Sequence, residues 1–164
     1  AYPLITEDTI FVGDGGRGLV ALDRATGCER WVHEHAGSIA SAILQGRIGE
    51  RDILIFNDRT QGMYAVDARD GQLIWHAVVE DEPVPWYSGT PLVTEDAVFL
   101  PVASLEVGLA ANPFYGCCTT SGGMAAFDIS TGKKIWYLPT IAAEAQVTGS
   151  HFFGLVQKLS LIHI

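Results

Sequence analysis

The chain alternates short apolar runs with glycine-containing turns, and this pattern predicts pairs of antiparallel strands. In each pair, an apolar run leads into a turn that begins with Asp and ends with Gly, and a second run containing Trp follows. An Asp side chain bonds the backbone two residues on, and Gly accepts the positive φ that closes a hairpin. The first strands are predicted at 19–22, 63–66 and 124–127, the turns at 23–27, 67–71 and 128–132, and the second strands at 30–32, 74–76 and 135–137.

These strand pairs belong to an internal repeat. Residues 10–31 superpose without a gap on residues 54–75, an offset of 44, and a third copy lies 61 residues further on. The copies share the core Ala-x-Asp-x-x-x-Gly-x-x-x-Trp, which ends at Trp31, Trp75 and Trp136. Short strands, glycine turns and one aromatic per unit are typical of four-stranded β-propeller blades. We therefore predict an all-β fold, a partial β-propeller of about three four-stranded blades, and almost no helix.

Small residues should crowd around the propeller axis, where space is limited. Residues 36–38, 88–90 and 148–150 are small and recur in successive repeats, so we predict that they form the innermost strands. The third repeat also carries an insertion. Because strand 97–102 lies 44 residues beyond 53–58, the extra 17 residues fall between that strand and Gly122. They predict a long loop at one blade edge, where propeller ligands usually bind.

Three repeats do not close a ring, and an open propeller leaves unpaired strand edges. Either the intact protein is longer or copies assemble, and we favour the longer protein because the chain lacks an initial Met and reads directly into a strand at 9–12. We predict an incomplete propeller domain over residues 1–158. Residues 159–164 follow none of the pattern and are interpreted as a non-native tail.

Composition excludes several classes of partner. The chain has 164 residues, 48% of them hydrophobic, which supports an ordinary core and argues against disorder. Its 10 Lys and Arg against 19 Asp and Glu give a net charge of -9, unfavourable for binding nucleic acid or an anionic membrane. No apolar run approaches the roughly 20 residues of a membrane helix, so we expect no membrane span.

The insertion holds the candidate chemistry. Cys117 and Cys118 are adjacent, and α-carbons about 3.8 Å apart lie below the usual disulfide range of roughly 4.4 to 6.8 Å, so a bond between them would be strained. The alternative is two free, buried thiols. Glu106 is the one carboxylate of the loop and either contacts a ligand or is solvated. His33 and His35 share a strand face, for which a solvated outer face is favoured over a metal site.

The sequence around these residues resembles one propeller family. The repeats lack the Trp-Asp and Gly-His dipeptides of Trp-Asp propellers and resemble the tryptophan-docking motif of quinoproteins, which carry pyrroloquinoline quinone (PQQ). The pattern Asn-Pro-x-x-x-Cys-Cys-Thr over residues 112–119 is similar to that of PQQ-dependent alcohol dehydrogenases, closest to their polyvinyl alcohol dehydrogenase branch. Residues 26–31 and 104–106 resemble that branch too.

The resemblance implies the architecture of a cofactor site. The propeller is expected to have eight blades, with each Trp stacked in the motif of the next blade. Cys117 and Cys118 are expected to form a vicinal disulfide that packs on one face of PQQ, with Ser121 and Glu106 also at the cofactor. Ser121 and Gly122 stand where the family usually has an arginine, and Ile39 lies near the place of a second one.

The resemblance also implies an activity, oxidation of a primary or secondary alcohol, small or polymeric, by hydride transfer to PQQ assisted by calcium. The family's calcium ligands and general base are expected beyond residue 164, so we assign no catalytic residue and expect the fragment to be inactive alone. Cytochrome c is the expected electron acceptor, and a periplasmic or extracellular location is expected because vicinal disulfides need an oxidising compartment. Cys28 fills a strand or pairs with a cysteine elsewhere.

A different class of function is also compatible with the docking motif. Non-catalytic propellers of this kind act as protein-binding scaffolds in outer-membrane assembly. The missing arginines favour this alternative, and the Cys-Cys loop argues against it.

Overall fold

The computed structural model describes residues 2–35, 37–82, 85–109, 112, 115, 119–141, 146–150 and 156–159. Its sheets are antiparallel and correspond to three successive propeller blades. Blade 1 contains β1 Leu4–Ile5, β2 Thr9–Asp14, β3 Gly18–Asp23 and β4 Glu29–Glu34. Blade 2 contains β5 Leu44–Ile48, β6 Arg51–Asp58, β7 Gly62–Asp67 and β8 Leu73–Ala77.

Blade 3 has the same strand order with one addition. It contains β9 Pro85–Trp86, β10 Leu92–Val93, β11 Ala97–Ser104, β12 Gly123–Asp128 and β13 Lys134–Pro139. The short β9 pairs with the C-terminal end of β11, at Ala103 and Ser104. β14 Gln146–Ser150 and β15 Val156–Leu159 form a two-stranded sheet. The all-β partial propeller predicted from the repeat is confirmed, and so is the near absence of helix, since the described residues contain a single one-turn helix, α1 Glu106–Leu109.

The three blades repeat one hydrogen-bond register. The central hairpins, β2–β3 and β6–β7, close at Asp14 opposite Gly18 and at Asp58 opposite Gly62, and the equivalent pair of β11 and β12 in blade 3 is Val102 opposite Gly123. In each blade the pairing of the last two strands shifts register directly after the repeated alanine, which is Ala21, Ala65 or Ala126. The predicted Asp-to-Gly turns are also confirmed: Asp23 accepts backbone N–H bonds from residues 25 and 26, and Gly27 has a φ of 71°.

Tryptophans join neighbouring blades as expected. A side-chain carbon at Gly71 would lie 2.6 Å from Cε3 of Trp31, so only glycine lets this ring of blade 1 lie against the turn of blade 2. Trp75 lies in the same way on Gly132 of blade 3, and its Nε1 donates to the carbonyl of Ile129 at 2.8 Å. Trp136, the third of the series, is 41% exposed.

Two apolar clusters fill the spaces between the blades. Even-numbered side chains of β6, such as Leu54 and Phe56, pack against blade 1 together with Phe11. Odd-numbered side chains, such as Ile53 and Ile55, pack against blade 3. Successive side chains of β6 point to opposite faces, and blades 1 and 3 cover these faces. Its central residues are therefore fully buried.

The small segments agree with the predicted strands only in part. Gly37 and Gly89 lie in the connections that precede β5 and β10, the first strands of their sheets, whereas residues 148–150 lie in the strand β14. A side-chain carbon at Gly37 would lie 1.8 Å from Oδ2 of Asp58, and one at Gly89 would lie 2.4 Å from Cγ of Pro101. Small residues are therefore required there for close approach between segments and not for strand pairing.

The inserted loop lies, as predicted, between the strands β11 and β12 of blade 3. The connections after Asp14 and Asp58 are tight turns at one end of blades 1 and 2, and the equivalent connection in blade 3 runs from β11 to β12 through α1. In the described part of the chain no helix has the length and apolar character needed to cross a membrane. Residues 160–164 lie outside the described residues, so the non-native tail stays a prediction.

Candidate functional site

The candidate site is the end of blade 3 where β11 passes into the inserted loop. Strand β11 ends at Ser104, and α1 follows within two residues. Blades 1 and 2 make the same connection with three residues each, 15–17 and 59–61. The described part of the extra chain in blade 3 therefore lies on the same end of the propeller as these two short turns.

Glu106 lies at the centre of the described part of this loop. Only 2% of its surface is exposed, and both carboxylate oxygens accept hydrogen bonds. Its Oε1 accepts the Tyr115 hydroxyl at 2.8 Å, and its Oε2 accepts the backbone N–H groups of Thr119 at 2.7 Å and Thr120 at 2.5 Å. The hydroxyls of both threonines also donate to it. One buried side chain thus binds residues on both sides of the cysteine pair.

These hydrogen bonds determine the charge of Glu106. Burial on its own would raise the pKa of the carboxyl group, but the donors from Thr120, Tyr115 and Thr119 outweigh it and lower the pKa to about 2. Glu106 is therefore a carboxylate at neutral pH. Since its oxygens are bonded to the loop itself, its observed contacts are those of a residue that positions the loop.

A second set of contacts joins the loop to the blade. The Ser104 and Thr120 hydroxyls are hydrogen-bonded to each other, and the backbone N–H of Glu106 donates to Ser104 Oγ at 3.1 Å. Ser104 is the last residue of β11. The anchored segment is therefore attached directly to a core strand.

Ser121 lies at the end of the loop. Its hydroxyl donates to the carbonyls of Gly122 at 3.2 Å and Ile141 at 3.3 Å. Gly122 has a φ of 70°, and a side-chain carbon there would lie 2.6 Å from the carbonyl oxygen of Val102. Cys117 and Cys118 lie outside the described residues, so their disulfide and their contact with a cofactor stay predictions.

One pair of residues beside the loop, Arg59 and Trp86, is not among the site residues predicted from the sequence. The Arg59 guanidinium lies over the ring of Trp86, 5.7 Å from its centroid. Trp86 belongs to β9, which pairs with β11 at Ala103. No sequence pattern links Arg59 to Trp86, because the two come from different blades.

The two histidines do not form the solvated face favoured from the sequence. Nδ1 of His33 lies 2.8 Å from the carbonyl oxygen of Gly71, and His35 is buried with its Nε2 3.3 Å from Oδ2 of Asp58. That prediction was wrong because both side chains point into the space between blades 1 and 2. In the described residues no group of three or more His, Cys, Asp or Glu side chains is arranged to bind a metal, and Cys28 is an exposed free thiol.

Comparison with known proteins agrees with this architecture. The family model PQQ_2, described as outer membrane protein assembly factor BamB, matches residues 2–162. The chain is 28% identical over 144 residues to polyvinylalcohol dehydrogenase of a Pseudomonas species, which covers 85% of this chain and 22% of that protein. It is 23% identical over 143 residues to BamB of Shewanella oneidensis, which covers 82% of this chain and 31% of that protein.

Solved structures show the same fold. Quinohemoprotein alcohol dehydrogenase ADHIIG from Pseudomonas putida superposes with a TM-score of 0.63 at 15% identity, over 93% of this chain and 22% of that one. The chain thus spans about a fifth to a third of the length of the curated relatives that it matches. From the repeat, the docked tryptophans and the family match, the chain belongs to the PQQ_2 family of quinoprotein-type β-propellers.

Proposed function

We propose that this chain forms part of the cofactor site of a PQQ-dependent alcohol dehydrogenase, which oxidises a primary or secondary alcohol, small or polymeric. The observation that carries the proposal is the buried Glu106 carboxylate, which binds Tyr115 before the cysteine pair and Thr119 and Thr120 after it. Holding a loop in one conformation costs conformational entropy, and a buried charge costs desolvation. A loop that is fixed in spite of these two free-energy costs is expected where a rigid surface is presented to a ligand.

The two buried acids at this end are compatible with a planar, anionic quinone. Asp58 and Glu106 are buried, and internal donors occupy their oxygens, so neither presents a free negative charge to an anion. In our proposal Cys117 and Cys118 form the flat surface for the ring. Ser121 contributes a hydroxyl at its edge, and Glu106 positions the loop. When bound, PQQ supplies the two-electron acceptor for alcohol oxidation.

Calcium and the electron acceptor complete the proposal. The proposed enzyme uses calcium, with ligands supplied from outside residues 1–164, and a cytochrome c as its electron acceptor. We place it in the periplasm, because adjacent cysteines stay oxidised in that compartment. One relative is named as an outer membrane protein assembly factor, which agrees with a location outside the cytoplasm.

A scaffold that binds other proteins is the second candidate. It is favoured by the family description, BamB, and by the inserted loop itself, since residues 105–122 contain neither Lys nor Arg to bind an anionic cofactor. The anchoring of Tyr115, Thr119 and Thr120 by Glu106 favours the cofactor site instead. The two candidates differ in one measurable property, the binding of PQQ.

The proposed activity can be tested by reconstituting the full-length protein with PQQ and calcium. We expect reduction of an electron-accepting dye with a secondary alcohol, and we expect Glu106→Gln to lower the rate through weaker PQQ binding. Glu95→Gln is the matched control because Glu95 is an exposed carboxylate in the turn before β11. Absence of both dye reduction and PQQ binding would contradict the proposal and favour the scaffold.

A further inference from the structure

Positive charge is scarce at the loop end of the propeller. The connections at this end, residues 15–17, 35–43, 59–61, 78–91 and 105–122, contain two cationic residues, Arg17 and Arg59. Arg17 is ion-paired with Glu29 at 2.6 Å. Among the described residues of this end, an approaching anion therefore meets one cation without an ion pair, Arg59.

Arg59 is exposed but held in position. Its guanidinium lies over the Trp86 ring, 5.7 Å from the ring centroid, within the range of a cation–π contact. Its backbone carbonyl accepts the N–H of Tyr87 at 2.8 Å, which ties the turn of blade 2 to the segment that carries Trp86. In the described parts of the chain, no carboxylate oxygen lies within 4.0 Å of the Arg59 guanidinium.

The pair lies beside the anchored loop. Trp86 is the register partner of Ala103, and Pro85 is the partner of Ser104. Ser104 is in turn hydrogen-bonded to Thr120 and to the backbone of Glu106. A continuous set of contacts therefore connects the Arg59 side chain to the segment that follows the cysteine pair.

Nearby acids do not cancel this charge by direct pairing. Oδ1 of Asp58, the neighbour of Arg59 in sequence, accepts the N–H groups of Thr60 and Gln61, while its Oδ2 faces His35. The Glu106 oxygens are bonded within the loop. The guanidinium therefore keeps donors for an incoming ligand, beside an aromatic ring that can stack on a planar one.

We propose that Arg59 and Trp86 form a binding platform for a planar polycarboxylate anion at the edge of the inserted loop. The inference rests on the proposed function, in which that anion is PQQ, and it adds the cation that the loop lacks. Arg59 donates hydrogen bonds to a ligand carboxylate, and Trp86 fixes the guanidinium and extends the flat surface. Both come from outside the insertion.

The test is calorimetric titration of the full-length protein with two probes, PQQ and benzene-1,3,5-tricarboxylate. A hydrogen bond between charged groups contributes enough that Arg59→Gln should weaken the binding of both by about tenfold. Arg59→Lys should recover part of the loss, since it restores the charge but not the planar donors. Arg47→Gln is the matched control, because Arg47 is exposed at the opposite end, paired with Asp52, and should change the dissociation constants less than twofold.

Each outcome decides the inference. Weaker binding of both probes in Arg59→Gln but not in Arg47→Gln supports both the platform and the proposed function. Binding of the tricarboxylate alone, with the same loss in Arg59→Gln, supports the platform and contradicts the PQQ assignment. Equal PQQ affinity in the wild type and Arg59→Gln overturns the platform and leaves the proposed function intact. Binding of neither probe to the wild type overturns both.

Discussion

The turn between β6 and β7 and the inserted loop between β11 and β12 make the same connection in neighbouring blades, yet they are stabilised over different distances along the chain. In the turn, Asp58 accepts hydrogen bonds from residues two and three positions away, besides its contact with His35. In the loop, Glu106 accepts hydrogen bonds from residues nine to fourteen positions away. A buried carboxylate is the anchor in both.

This fold can thus accommodate a long loop without losing its regular blade. Closing a longer loop costs more chain entropy, although the cost rises slowly with length. The donors gathered by Glu106 offset that cost, and Ser104 attaches the assembly to a core strand. The short turn needs no such device, because its Asp bonds groups that are already close.

The largest expected effect is that of removing the loop anchor. Glu106→Gln leaves one oxygen and places an amide beside backbone donors, so buried N–H groups lose their acceptor. We expect the free energy of unfolding to fall by about 3 kcal/mol in urea titrations, and amide hydrogen exchange to rise over residues 115–121. Glu95→Gln, at an exposed carboxylate, should leave both measurements unchanged. An unchanged exchange rate in the loop of Glu106→Gln would show that the anchor is unimportant.

Acid should release the loop in a defined range. The ordinary pKa of the Glu106 group is 4.5, and in the folded chain its hydrogen bonds outweigh burial and lower the pKa to about 2. Because the folded pKa is the lower one, the stabilisation is complete above about pH 4.5 and disappears as pH falls toward about 2. At about 1.4 kcal/mol per pKa unit, the loss is at most about 3 kcal/mol. Urea titrations across this range should show a shallower pH dependence in Glu106→Gln, and parallel curves would contradict the assignment.

A smaller and more local effect is expected at the turn of blade 2. Asp58→Asn removes the charge that faces His35 and weakens the acceptor for Thr60 and Gln61. We expect a loss of about 1 to 2 kcal/mol, with faster amide exchange confined to residues 58–62 and the connection around His35. Faster exchange in the inserted loop as well would show that Asp58 and Glu106 do not act independently.

The smallest effect is that of a single donor to Glu106. Thr120→Val keeps the backbone bond to Oε2 but removes the hydroxyl that bonds Glu106 and Ser104. We expect a loss of about 1 kcal/mol. Thr131→Val is the matched control, since Thr131 donates to Asp128 in an exposed turn at the other end and should cost less. A larger loss in the control would indicate that burial adds nothing to the loop contacts.

The repeat made the blades predictable from sequence. Each unit repeats Asp, Gly and Trp at fixed spacing, and these residues act within one turn or on the turn of the next blade. Local turn chemistry and a regular period are enough to locate such elements. The insertion was also predictable, because it interrupts the period.

The roles of individual site residues were less accessible. Glu106 was singled out as the one acidic residue of the loop, but its bonds to Tyr115 and Thr120 depend on how the loop folds back, which no local pattern encodes. The contact between Arg59 and Trp86 depends on how two blades meet. The burial of His35 escaped prediction for the same reason.

The proposed cofactor site is best tested by an amide hydrogen-exchange map of the full-length protein with and without PQQ. We expect slower exchange on PQQ addition at residues 59–61 and 119–122, and no change at the opposite-end turns 24–27 and 68–71. Protection at those opposite turns, or no protection at either end, would show that the cofactor does not bind at the anchored loop of blade 3.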